Sequence, residues 1–375
     1  MWWSLARGVR ENGFGGGFDE LSHRFRAAGG IKELRFPLEI FDRLRPTLAT
    51  SIPPTTNPFP ALERGVFTLS LDFELIWGTQ DVAGPDEFRQ ACLFERRRIV
   101  DDLLALLHEF EIPATWCIVG HLFLDSCDGK HADLKRPQHH WMQGDWYQHD
   151  PGGREDESSV FLGKSLVEKI LACPTRQEVG FHSFSHVIWG DPGCSREVAE
   201  SEIAACVRAA AWTGTKAVSF VFPRNRVGHL DVLAANGLRV FRGPGPRWYE
   251  RDENPGALGR LAHLAEVALG APAPTVLPET TAEGLVNLPG SMIYLPAHGV
   301  RGLIPVSRRV RRALAGLDDA ANRRRVFHMW FHPTNLADRY HPMIGGLREV
   351  FARARGLRDA GRLGLRPRAA FAPAA

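Results

Sequence analysis

The sequence predicts an α/β fold in which a mostly parallel sheet, alternating with helices, closes into a barrel of about seven units behind an N-terminal extension. Three observations carry that expectation. From Gly65 onward, short apolar runs alternate with amphipathic helical stretches, the pattern of repeated right-handed crossovers. Prolines and glycines such as Pro113, Pro223 and Gly237 punctuate the alternation where strands and helices should break. The chemically capable side chains also fall at the C-terminal ends of the inferred strands, where barrel enzymes assemble their active sites.

Composition leaves this reading open and closes others. The chain has 375 residues, 44% hydrophobic and 24% charged, as expected of a globular protein with room for one barrel and extensions. A net charge of +3 is too small to argue for nucleic acid. The six cysteines form no Cys-x-x-Cys pair, and several sit in apolar segments, so buried free thiols in a reducing compartment are expected. Residues 1–7 lack the continuous apolar run of a secretory signal. No later segment is long and apolar enough to cross a bilayer, so a cytoplasmic location is expected.

Residues 1–60 hold a glycine-rich run at 13–17, a short basic stretch and a proline-rich linker at 53–60. They read as an appendage with one helix near residues 31–44. Trp2, Trp3 and the nearby arginines offer a peripheral membrane contact, although a tail packing on its own protein is the favoured reading. The barrel domain is expected over residues 61–345.

Its first strand is residues 66–72. A helix follows over 88–110, with Ile99, Leu103, Leu106 and Leu107 on one face. After Pro113 comes a second strand, 114–120, and then a polar, aromatic loop within 121–160 that contains Trp141, Trp146 and Tyr147. Helix returns at 164–171, followed by a strand beginning at Glu178. Ser195 is placed to cap a helix through Ala210, with Ala199, Ile203, Cys206, Val207 and Ala210 facing inward. Residues 217–222 form a fourth strand. A helix through 232–234, stopped by Gly237, leads to a fifth at 238–243. Residues 256–269 read as helix, 285–295 as extended, 306–317 as a basic amphipathic helix and 326–333 as the last strand. The tail at 346–375, rich in Arg and Ala, is expected to add none.

The chemistry centres on Glu178-Val179-Gly180-Phe181-His182-Ser183-Phe184-Ser185-His186. Histidines at i and i+4 stack on one face of a helical turn. Two neutral imidazoles held together are a partial site for zinc, which needs a third protein ligand and keeps one open position when catalytic. A structural pair is the blander account. The third ligand is sought where the first strand ends in Asp72 and Glu74, which share parity and so face the same side. Arg224 and His332 end two further strands. Singly, each reads as a surface cation or a loop histidine; together they repeat one position in the fold.

Taken in order, Ser70-Leu71-Asp72-Phe73-Glu74, the strand at 114–120, Glu178 to His186, Phe222-Pro223-Arg224 and Trp330-Phe331-His332 resemble the motifs of polysaccharide deacetylases. These are metal-dependent carbohydrate esterases related to nodulation-type chitooligosaccharide deacetylases. The resemblance covers residues 63–340. It implies a distorted (β/α)7 TIM-like barrel, a divalent metal of the zinc kind, and removal of N-acetyl groups from a sugar of an oligo- or polysaccharide or its biosynthetic intermediate. Carried over by position, His182 and His186 look like metal ligands, Asp72 like the catalytic base, His332 like the general acid and Arg224 like the arginine that orients the base.

The departures from the family pattern bear on these roles. Phe73 separates two acids that are usually adjacent aspartates. This resembles a variant branch in which the first acid is the base and the second, here Glu74, binds metal. The arginine motif reads Phe222-Pro223-Arg224-Asn225-Arg226, which makes Arg226 a rival of Arg224, and Val187 replaces a common proline. Trp330 shares parity with His332 and could wall an acetyl pocket or simply fill the barrel. The aromatic loop could be a sugar platform or could pack on itself, and a backbone N–H near the histidine turn is a candidate oxyanion donor. Two other functions suit the same residues: hydrolysis of a small amide, as in the allantoinase-like branch, or a non-catalytic glycan-binding barrel.

Overall fold

Nine residues, Gly65–Phe73 (β1), form the central strand, and every one is buried. A strand buried on both faces belongs in the middle of a covered parallel sheet. In this computed structural model, which describes residues 57–58, 61–79, 85–251 and 256–373, eight more strands surround it. They are Thr115–Ile118 (β2), Glu178–Phe181 (β3), Ser219–Val221 (β4), Val240–Arg242 (β5), Val286–Asn287 (β6), Met292–Ile293 (β7), Val326–Phe331 (β8) and Leu363–Leu365 (β9). The expected helix near 31–44, the glycine-rich run, Trp2, Trp3 and most of the proline-rich linker lie outside the described residues.

Pairing runs β6–β5–β4–β3–β2–β1–β8–β7 and is parallel throughout. At the β6 edge, Glu279–Thr280 and Asn57–Pro58 add short antiparallel pairs. The path has two ends, so among the described residues strand pairing does not complete the expected seven-unit ring. The reason is local. β6 and β7 are two residues each, and Pro289 between them has no N–H to give to a ladder. Side chain and backbone bridge the gap instead: Ser291 N donates to His328 O at 2.8 Å, and His328 Nδ1 lies 3.1 Å from Pro289 O.

The sheet nonetheless curls tightly. Three strands separate β5 from β1, which in a flat sheet would set them roughly 19 Å apart, beyond the reach of two side chains. Arg242 Nη2 on β5 lies 2.6 Å from Asp72 Oδ2 on β1.

Most helices fall where the periodicity places them. Lys164–Leu171, Arg196–Ala210 and Gly256–Leu269 match their expected spans. Ser195 Oγ accepts from Val198 N as the cap of the second. Val207, expected inward, is 48% exposed. It lies one residue past Cys206, about 100° around the helix and off the buried stripe. The expected helix at 88–110 is interrupted: Pro85–Phe94 and Val100–Glu109 flank a π-helical stretch, Glu95–Ile99. Ile99, Leu103, Leu106 and Leu107 are buried as expected.

The tail corrects the reading most. Beyond the Tyr340–Asp359 helix, β9 pairs with Gly65–Phe67. Only Ser70–Phe73 of β1 pairs with β2, so the start of that long strand leaves an edge that β9 covers. Arg368 then plugs the sheet from below, fully buried, donating through Nη2 to Phe220 O at 2.8 Å. All six cysteines are free; Cys127 and Cys173 are only partly buried. No helix among the described residues is long and apolar enough to cross a membrane.

Candidate active site

β3 delivers the histidine pair, but not through a helix. Past Phe181 the chain turns with left-handed backbone at Ser183 (φ 63°) and His186 (φ 64°), a conformation unfavourable for side chains larger than glycine. Something must hold it, and Glu202 does. From the Arg196–Ala210 helix its carboxylate accepts from Ser183 Oγ at 2.6 Å, from Phe184 N and Ser185 N at 2.9 Å each, and from Ser185 Oγ at 2.9 Å. The turn also donates nothing to spare near its start: His182 N bonds Ile118 O. The amides of residues 182, 184 and 185 are therefore committed, and the expected oxyanion donor is not among them.

The turn brings the two imidazoles to 5.0 Å between centroids. His182 Nδ1 lies 2.8 Å from Val221 O. A carbonyl only accepts, so Nδ1 carries the proton and a neutral ring turns its Nε2 lone pair inward.

Asp72 and Glu74 face this point together, as their parity requires. Glu74 Oε2 lies 3.2 Å from both His182 Nε2 and His186 Nε2. Its side chain has room only because residue 78 is glycine; a Cβ there would sit 1.8 Å from Glu74 Oε1. Burial pushes the Glu74 carboxyl up, but the positive charge of His332 and His186 outweighs it and holds the group well below the usual range. Asp72 is gripped by both nitrogens of Arg242, at 2.8 and 2.6 Å. Here too burial acts upward first, and the Arg242 guanidinium overcomes it, leaving the carboxyl lowered.

The arginine on Asp72 is thus Arg242, which corrects the expectation for Arg224 and its rival Arg226. Arg224 lies over the Trp141 ring at 5.6 Å, and Arg226 Nη1 reaches Asp191 Oδ2 at 3.2 Å. Both stand on a turn past β4, whereas the curl of the sheet aims β5 across at β1. Arg242 is itself braced: Trp330 lies under its guanidinium at 3.8 Å, Asn225 Oδ1 accepts from Nε at 3.1 Å, and Ser70 Oγ accepts from Nη1 at 3.3 Å. Ser70 Oγ in turn meets His328 Nε2 at 2.8 Å. Desolvation keeps that buried histidine well below its usual value and so neutral.

His332 completes the group from the end of β8. It is 27% exposed, with Nε2 at 3.4 Å from Glu74 Oε1 and 3.8 Å from Asp72 Oδ2. The loop aromatics divide. Trp146 and Tyr147 are buried and bond to Ser185, so they pack on the protein; Trp141 is 36% exposed. One further carboxyl, Glu95, lies buried in the π-helical stretch. Burial and then the charge of Glu74 push it well above the usual range.

The residues fit a metal. Three donor atoms, from Glu74, His182 and His186, lie within 4.8 Å of one another. Glu74 Oε2 is buried and makes no aligned hydrogen bond. A carboxylate oxygen facing an imidazole lone pair at hydrogen-bond distance is unfavourable unless a cation or a proton lies between them. Asp72, engaged by Arg242, stands beside the triad and outside it.

No family model and no curated protein matches the sequence. Solved structures do match the fold. A putative polysaccharide deacetylase from Mycobacterium smegmatis aligns with TM-score 0.54 at 14% identity, covering 85% of this chain and 92% of that one. A probable polysaccharide deacetylase from Pseudomonas aeruginosa PAO1 aligns with TM-score 0.51 at 11% identity, covering 82% and 88%. The Puue allantoinase gives TM-score 0.51 at 12% identity, covering 86% and 93%. At these identities the likeness shows the fold, the same one that the ordered motifs resemble.

Proposed function

We propose that this chain is a metal-dependent N-deacetylase that hydrolyses the acetamide of a sugar in an oligo- or polysaccharide or its biosynthetic intermediate. The observation that carries the reading is the convergence of Glu74, His182 and His186 with Arg242-bound Asp72 and partly exposed His332 at the strand ends. Glu74, His182 and His186 would hold a zinc-class ion, which would supply Lewis acidity toward the amide carbonyl and lower the pKa of a water to ~7.

Asp72 is the base. Arg242 keeps it ionised and fixes its plane, so its free lone pairs face the attacking water and take the proton. His332 is the acid: open to solvent on one side and 3.4 Å from Glu74, it stands where a proton can pass to the leaving nitrogen as the C–N bond breaks. Trp330, its ring 6.0 Å from that of His332 and stacked on Arg242, walls the space where an acetyl methyl fits. Trp141, 36% exposed, with His139 stacked on it at 4.9 Å and Arg224 over its ring at 5.6 Å, is the loop aromatic open to a sugar.

The allantoinase likeness favours a second reading, hydrolysis of a small cyclic amide by the same residues. Acetate release from a panel of N-acetylated oligosaccharides, run beside allantoin with and without chelator, separates the two. Chelator-sensitive acetate release supports deacetylation. Turnover of allantoin alone supports the second reading, and neither reaction by zinc-loaded protein leaves a glycan-binding barrel.

A further inference from the structure

A second cluster of ligand-type side chains lies in the loop between β2 and β3. His121, Cys127, His131 and Asp150 place one donor atom each within 4.8 Å of one another. Three of those atoms crowd a single oxygen, Asp150 Oδ2: His131 Nε2 at 2.7 Å, His121 Nε2 at 3.1 Å and Cys127 Sγ at 3.4 Å. A tetrahedral zinc with ordinary bond lengths separates its ligand atoms by roughly 3.3–3.8 Å, so only small shifts are needed.

His121 supplies the independent sign. Its side chain is fully buried, and Nδ1 lies 2.8 Å from Phe161 O, which as a carbonyl can only accept. Nδ1 therefore carries a proton, and Nε2 is the ring atom turned toward the cluster. That Nε2 makes no aligned hydrogen bond, although Asp150 Oδ2 is close. Backbone carbonyl, imidazole and carboxylate are arranged as around a bound metal, with the outer hydrogen bond fixing the tautomer.

We infer that His121, Cys127, His131 and Asp150 form a closed structural site for a zinc-class divalent ion, separate from Glu74, His182 and His186. Binding exchanges the Cys127 thiol proton, released to solvent, for a bond to the ion. Four protein donors of N, N, S and O type fill a tetrahedral shell and leave no open position, the arrangement of a structural rather than a catalytic site. The backbone is shaped to close it. The short strands Ser126–Cys127 and Gly153–Arg154 pair antiparallel, and a Cβ on Gly129 (φ +70°) would lie 2.9 Å from Asp150 O. What the ion would fasten matters to the neighbouring site. The same loop carries Trp146 and Tyr147, whose Nε1 and hydroxyl bond Ser185 Oγ at 3.0 Å each within the histidine turn, and the His131 ring lies 4.5 Å from that of Tyr147.

The inference does not depend on the proposed reaction, because its test uses no substrate. Purified protein is loaded with zinc or cobalt(II), desalted, and assayed for metal content and absorption as wild type, His182→Ala and Cys127→Ser. The expectation is two equivalents in wild type and one in each variant. The cobalt form of wild type and of His182→Ala should show a thiolate-to-cobalt charge-transfer band, and that of Cys127→Ser should not. A single equivalent in wild type that His182→Ala removes, or a cobalt form of His182→Ala without the band, would overturn it and leave a hydrogen-bonded His–Asp–His knot. Should Cys127→Ser fail to fold, the spectrum of His182→Ala alone decides.

Discussion

The two buried clusters of histidine and carboxylate are built from the same local device and differ in what stands next to it. In each, a backbone carbonyl accepts a hydrogen bond from Nδ1–H of one imidazole, Val221 O for His182 and Phe161 O for His121, so that Nε2 turns toward a buried carboxylate oxygen. At the strand ends the device stops at three donors, with Arg242-bound Asp72 and 27% exposed His332 beside it. In the loop it runs to four donors, and the neighbouring Asp128 and Arg136 bond the backbone N–H and carbonyl of His131. An incomplete shell with a base and an acid at its side can do chemistry, whereas a complete one can only hold chain segments together.

The largest effect that should separate them is loss of a ligand. His182→Ala or His186→Ala should bring acetate release to background, measured on zinc-loaded protein. Next is His332→Ala, which should lower amide turnover about 10²–10⁴-fold, the usual share of a general acid. An activated ester needs no proton on its leaving group, so the same variant should hydrolyse it much more nearly like wild type. Equal losses on amide and ester would move His332 from proton donor to substrate binding.

Arg242→Gln is the third. Losing an outer partner of this kind costs roughly 10–100-fold. The pH dependence should change as well. Burial raises the Asp72 carboxyl and Arg242 is the chief force against it, so removing the guanidinium should move the acid limb of kcat/KM to higher pH. An unmoved limb would show that Asp72 is not the group that must ionise. Cys127→Ser comes fourth: it should cost turnover no more than about tenfold, the low end for outer-shell changes, while lowering the temperature of thermal unfolding.

The smallest effect belongs to a half-buried carboxyl outside both clusters. Burial first, and the nearby charge of Glu266, push Glu250 up to about 7. An unfolded glutamate titrates near ~4.3, so the folded state holds its proton through a range where the unfolded chain has lost it. Stability from this group is therefore complete below that range and falls as pH rises toward 7. Glu250→Gln should unfold at the wild-type temperature in acid, unfold slightly higher above neutrality, and leave turnover unchanged.

Much of this was legible in the sequence because it follows from short-range pattern. The strand at Gly65–Phe73 shows as an alternation, with Phe67, Leu69, Leu71 and Phe73 on one face and Thr68, Ser70 and Asp72 on the other, and the shared face of Asp72 and Glu74 follows from the same two-residue period. The rest depends on curvature and closure, which no local pattern carries. Arg224 and Arg242 both follow a Phe-containing strand and look alike as residues; only a sheet curled across three intervening strands selects Arg242 for Asp72. A charged residue set in the apolar run Val240-Phe241-Arg242 was the available sign. β9 is three residues long and exists because β1 outruns β2. His121, Cys127, His131 and Asp150 have no familiar spacing and meet only through a hairpin, and Glu202 shows its role only once the turn it holds is seen.

The division between ligand and base inside the open cluster is the central claim, and one paired measurement addresses it most directly. Zinc content and acetate release are determined on the same samples of Asp72→Asn and Glu74→Gln. Asp72→Asn should keep the wild-type zinc content and lose turnover by about 10²–10⁴-fold, as for removal of a general base. Glu74→Gln should lose one equivalent of zinc together with its activity. Zinc lost from Asp72→Asn and kept by Glu74→Gln would exchange the two roles, and full activity in both would contradict the account.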